Sequence, residues 1–170
     1  MFGKKKNKVD KCKIHPSLGE ILYVGIGWEK TEKIKMTLWS KTYDISLCFI
    51  AKKVEEDVNE KQLASLEKFR NVVKEQKNQI EELIMKSFEC DNEENSSNRF
   101  VFEEILFSQN GECALFYKDA DEEGYDDLGA GFAMFLIPKL MLHFPEDCLD
   151  YILGHENSFI EKDLYGGGNL

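Results

Sequence analysis

No stretch of the 170 residues reaches the roughly 18–20 uninterrupted apolar side chains that a bilayer span requires. The opening, Met1-Phe2-Gly3-Lys4-Lys5-Lys6, is not followed by the apolar segment of a secretory signal either. Both absences predict a soluble, cytoplasmic protein with no membrane partner. The common catalytic loops are missing as well. There is no G-x-x-x-x-G-K-S/T and no G-x-S-x-G, and His155-Glu156 runs on into Asn157-Ser158-Phe159 without completing H-E-x-x-H. Gly25-Ile26-Gly27 and Gly129-Ala130-Gly131 begin like dinucleotide-binding turns, but Lys30 and Met134 stand where the closing glycine belongs. Nucleotide binding through a known loop is thereby disfavoured, and no cofactor is implied.

Histidine is scarce, at three residues with no spaced pair, and the five cysteines are odd in number and scattered (Cys12, Cys48, Cys90, Cys113, Cys148). That pattern fits reduced thiols better than a disulfide framework. Cys12-Lys13-Ile14-His15 has the spacing of half a zinc site but no second half accompanies it. Nucleophilic catalysis by Cys113 or Cys148 with His143 or His155 is disfavoured, because their apolar or acidic surroundings raise a thiol pKa. No catalytic residue is assigned, and a non-enzymatic protein is expected.

Charge of one sign is also in short supply. The chain has 22 Lys and Arg against 32 Asp and Glu, a net −10, and six of the basic residues lie within the first thirteen positions beside a single acid, Asp10. The remainder carries 16 basic against 31 acidic residues, −15. Such a body repels phosphate backbones, so no nucleic-acid partner is expected, and long-range attraction favours a basic protein instead. Residues 1–13 read as a flexible basic arm, 14–164 as one domain and 165–170 as a flexible glycine-rich tail.

What is present is ample apolar material, 42% of residues including twelve Phe, enough for one core. A period of two runs from Glu20 to Trp28, again from Ile34 to Leu38 and from Tyr43 to Ala51, predicting three antiparallel strands. The period then changes. Asn59 with Gln62 three residues on forms a capping box, Val58 and Leu63 a hydrophobic staple, and Leu63, Leu66, Phe69, Val72 and Val73 an apolar stripe. The stripe is interrupted at 74–79 and resumes through Ile80, Leu83, Ile84 and Phe88, which predicts two helices or one bent helix. Asp91 to Asn98 reads as a polar loop. Apolar runs on either side of Gln109-Asn110-Gly111 predict a hairpin. The wholly apolar 131–137 predicts a strand covered on both faces. Leu140 to Phe144 predicts a further extended segment, and 145–153 a short helix. The fold class expected is α+β, a largely antiparallel sheet made of a strand meander, one or two helices and further hairpin strands, with the helices packed on one face.

One segment invites a binding role. Asp119, Asp121 and Glu123, followed by Gly124, match the first half of a calcium loop, but Ala130 occupies the position of its bidentate Glu. With Glu122, Asp126 and Asp127 these residues form the candidate partner-binding cluster, and Asp119, Asp121 and Glu123 a weaker candidate for a cation. A divalent-cation-binding or regulatory protein, or an enzyme using this segment, is the alternative function.

The stretch from Asp57 to Phe69, with the strands before it and Ile80 to Phe88 after it, resembles a family of small bacterial domains of unknown function. Gly111 to Glu123 and Phe132 to Leu140 resemble the same family's second sheet segment. Its members recur in toxin-associated gene neighbourhoods and are taken to act as immunity proteins. The resemblance implies a protein-binding role, neutralising a toxin by covering its active site, and it transfers no site residues.

Overall fold

A computed structural model of the chain describes residues 11–120 and 132–166. Nine strands form one sheet: β1 (Cys12–His15), β2 (Gly19–Tyr23), β3 (Gly27–Lys30), β4 (Ile34–Leu38), β5 (Lys41–Ile50), β6 (Phe100–Phe107), β7 (Cys113–Asp119), β8 (Phe132–Ile137) and β9 (Met141–His143). The helices are α1 (Glu60–Glu75), α2 (Lys77–Ser87), α3 (Glu93–Arg99), α4 (Pro145–Ile152) and α5 (Ser158–Tyr165). The strand order is β1-β2-β3-β5-β6-β7-β8-β9, with β4 pairing to β5 beside that path. This is an α+β fold on a mostly antiparallel sheet.

The single strand expected from Glu20 to Trp28 is two strands, β2 and β3, joined by a turn. Gly25 takes φ +97°, in the left-handed region open to glycine, and the Val24 amide donates to the Gly27 carbonyl. Alternating apolar residues conceal such a turn, because the alternation continues through it. Gly27 then packs against β5 so closely that a Cβ would lie 2.3 Å from the Phe49 carbonyl oxygen. The β4–β5 hairpin turns at Trp39 and Ser40, both at positive φ (46° and 64°), as a type I′ turn demands. Neither residue favours that region. The turn is held from outside by the Trp39 amide donating to Glu81 Oε1 of α2 at 2.7 Å, and Lys77 Nζ approaches the same oxygen at 2.6 Å.

The expected capping box opens α1. The Asn59 side chain accepts from the Gln62 amide and the Gln62 side chain accepts from the Asn59 amide, both at 3.0 Å. Leu66 and Phe69 of α1 and Ile80 and Ile84 of α2 are buried against one face of the sheet, over Ile45, Leu47, Phe49, Ile105, Phe107, Leu115 and Met134. Two helices are present, broken at Gln76 (φ −111°, ψ 15°). The polar loop expected from Asp91 to Asn98 is largely helical instead. In α3, Asn92 caps by accepting from the Asn95 amide, Glu93 and Glu94 sit in the first turn and Arg99 in the last, all in keeping with the helix dipole.

Residues 51–99 carry the chain across the sheet, and β6 therefore joins β5 in parallel, with Ser46 opposite Glu104 and Phe49 opposite Phe107. The rings of Phe49 and Phe107 stack at 4.8 Å. The β6–β7 hairpin closes through Gln109, Asn110 and Gly111. The Ser108 amide bonds the Glu112 carbonyl, and Gly111 (φ +95°) donates to the Ser108 carbonyl. Of the Asn-Gly pair, Gly111 alone takes the left-handed conformation, giving a three-residue loop in place of a two-residue one.

Strand β8 is covered on both faces, as its apolar run implies. Met134 and Leu136 face α1 and α2, whereas Ala133 and Phe135 face the other way. A second helical layer lies on that opposite face, where Cys148 and Ile152 of α4 and Ile160 and Leu164 of α5 pack on Cys48, Ile50, Leu106 and Ala114. The helices thus flank the sheet on both sides, not on the one expected. Among the described residues this layer gives out over β1 to β3, leaving Ile14 and Leu22 exposed.

The described residues begin within the expected basic arm, and Cys12 and Lys13 belong to β1. Lys13 pairs with Asp57 at 2.9 Å and lies 4.0 Å above the Trp28 ring. Tyr165, assigned to the tail, closes α5. Residues 1–10 and 167–170 lie outside the described residues.

Candidate functional site

At the β9 edge of the sheet the two helical layers meet around an apolar groove of about 660 Å³. Each wall follows from local sequence. Phe88 ends α2, and Phe132 opens β8 and meets it edge-on at 4.4 Å. Leu142 and His143 come from β9. Phe144 is the N-cap residue of α4, with Pro145 behind it at the first helical position, where the missing amide costs nothing. Asn157 caps α5 by accepting from the Ile160 amide, so that Ile160 turns into the core while its neighbour Phe159 turns outward. The outcome is two aromatic rings at the lips of the groove, Phe144 at 67% exposure and Phe159 at 79%.

The polar groups that line the groove are Ser87, His143, Asp147 and Asn157, with Asp147 the acid among them. His143 Nε2 lies 3.2 Å from Asp163 Oδ2, and Asp147 lines the opening. From Pro145 to Gly166 the chain carries Glu146, Asp147, Asp150, Glu156, Glu161 and Asp163 against the single base Lys162 and His155. Large exposed aromatics on a concave, apolar surface are the physical mark of a contact site, since such rings would otherwise be buried. None of these groove residues was singled out from sequence for a binding role. The alternation at 140–144 was read, but helix α5 with its Asn157 cap was not expected, nor was the face that would be left uncovered.

Of the acidic candidates, Asp119 lies within the described residues and is completely buried. Its two oxygens accept from Arg99 Nε at 2.8 Å and Nη2 at 2.6 Å, a bidentate pair that raises the guanidinium pKa further and ties the end of α3 to β7. Asp119 therefore presents no carboxylate at the surface. Asp121, Glu122, Glu123, Asp126 and Asp127 lie outside the described residues. The segment containing them is joined covalently to Phe132, a wall of the groove.

A second buried acid was missed. Glu112, 3% exposed, accepts from Tyr165 OH at 2.7 Å, Tyr151 OH at 3.4 Å and Ser108 Oγ. Burial, with help from Glu112, raises both tyrosine pKa values, Tyr151 to about 12. The cluster binds α4 and α5 to the β6–β7 turn. Its tyrosines lie far along the chain, so nothing local pointed to it.

On the α4–α5 side of β6, burial together with the carboxylates of Glu29 and Glu103 pushes Glu104 up to about 7. Cys48, Cys113 and Cys148 are buried, and burial pushes their thiols up. They are protonated at neutral pH and poor nucleophiles. Among the described residues no group of three His, Cys, Asp or Glu side chains is placed to hold a metal ion, and no helix is long and apolar enough to cross a membrane. Compared with known proteins, the chain matches no family model, no curated protein and no solved structure.

Proposed function

We propose that this is a non-enzymatic interaction module that binds another protein through the groove at the β9 edge, acting in the cytoplasm as an immunity-type protein that neutralises a toxin. The exposure of Phe144 and Phe159 at the lips of that groove is the observation that carries the reading. The resemblance of Asp57–Phe69 and of the second sheet segment to toxin-associated domains supports it, as does an acidic body that would draw a basic partner such as a nuclease.

Co-expression with the product of the reading frame adjacent to its gene tests it. Wild-type protein is expected to restore growth, and a Phe144→Ala/Phe159→Ala double variant of unchanged Tm to lose that protection. Protection by the double variant equal to wild type would remove the groove from the reading, and no protection by wild type would remove the immunity role.

A further inference from the structure

We infer that the groove takes a basic segment of polypeptide: one apolar side chain seated between Phe88, Phe132 and Phe144, with Lys or Arg on either side facing the acids of α4 and α5. This rests on the proposed function and adds the chemistry of the occupant.

Three observations select it. The lip rings are 67% and 79% exposed, so a small molecule lying within the groove would leave them wet, whereas a chain crossing it covers both. Asp147 lines the opening, and α4 and α5 together carry exposed Glu146, Asp147, Asp150 and Glu161 against Lys162, with Lys86 beside Ser87 on the α2 wall, so acids outnumber bases on the helices around the groove. A second copy of this chain, itself at net −10, would bring like charge to the same place. A flanking Lys or Arg gains twice, from the carboxylates and from the faces of Phe144 and Phe159. The neutral anchor gains from leaving water, and that part should be indifferent to salt.

The test uses the full chain and two fluorescent peptides of equal length, each with one central Trp, flanked by Lys in one and by Glu in the other. The Lys peptide is expected to bind, the Glu peptide roughly tenfold or more weaker. Raising salt to about 0.3 M should weaken the Lys peptide severalfold. Phe144→Ala/Phe159→Ala should cost at least about tenfold at either salt concentration. Glu146→Gln/Asp147→Asn should cost about threefold per carboxylate at low salt and little at high salt. These substitutions are at exposed positions, and an unchanged Tm verifies the fold. Equal affinity for the two peptides, binding that survives loss of both rings, or no binding of the Lys peptide would each overturn the inference. If growth protection still depends on Phe144 and Phe159 in that event, the interaction site stands and only its occupant is wrong.

Discussion

Gln62 has no exposed surface and serves three backbone groups at once. Its Oε1 accepts from the Asn59 amide, and its Nε2 donates to the carbonyls of Ile50 and Phe107, each at 3.0 Å. Those carbonyls belong to the last residues of the two parallel strands, beyond which neither can bond its neighbour. One side chain thus ends the β5–β6 ladder and anchors α1 to it. Gln62→Leu keeps the volume but strands three buried polar groups, and a loss of about 2–4 kcal/mol is expected in urea denaturation. Glu104 gives a second expectation at this scale. Its pKa is about 7 in the folded chain against an ordinary 4.5, so the native state holds the proton more tightly and stability falls as pH rises from about 4.5 to about 7. Allowing for partial exposure, the loss should be on the order of 1–2 kcal/mol between pH 5 and pH 8, and Glu104→Gln should flatten the profile. The sequence displayed Gln62 as a helix cap three residues after Asn59. Its bonds to Ile50 and Phe107 depend on strands that lie on either side of it in the chain, so no local pattern could show them. Glu104 was one acid among 32.

At the scale of elements, what was legible was what local chemistry decides. The α1 start is an example, and Asn59→Ala should cost about 1–2 kcal/mol in chemical denaturation, because it removes the cap and the bond from Asn59 Nδ2 to the Gln109 carbonyl. The double-sided burial of β8 and the α4 start at Pro145 were readable for the same reason. Elements held by distant partners were not. Helix α3 has seven residues and only one that is buried outright, Ser96, and it is retained by Arg99 reaching Asp119 and the Phe88 carbonyl. Arg99→Ala would leave Asp119 charged and buried without its bidentate partner, and a loss of about 3–5 kcal/mol is expected, read as a lowered urea midpoint. Helix α5 depends in like manner on Tyr165 and Glu112. The β2–β3 turn was hidden because apolar alternation runs unbroken through Val24 and Ile26 while the glycine between them changes direction. The groove escaped notice for a related reason, since Phe144 and Phe159 look like core residues in the sequence and become surface only through the packing of α4 and α5.

Over the whole molecule, acidity and architecture act together. The excess of carboxylates makes the chain acidic, and among the described residues the two helical layers leave apolar surface uncovered in the groove at the β9 edge and on the face of β1 and β2 around Ile14 and Leu22. The parallel pairing of β5 with β6 also imposes an order on synthesis. When Ile45 to Ile50 have left the ribosome, the edge that β6 will occupy stays bare until about 55 further residues emerge, a wait of about 3–10 s at ~5–20 residues per second. For that interval the nascent chain displays an apolar strand with unsatisfied amides, the form of polypeptide most prone to wrong partners. A chain ending at Ser87 would be halted permanently at that stage and should be recovered in inclusion bodies, while the 170-residue chain stays in the supernatant.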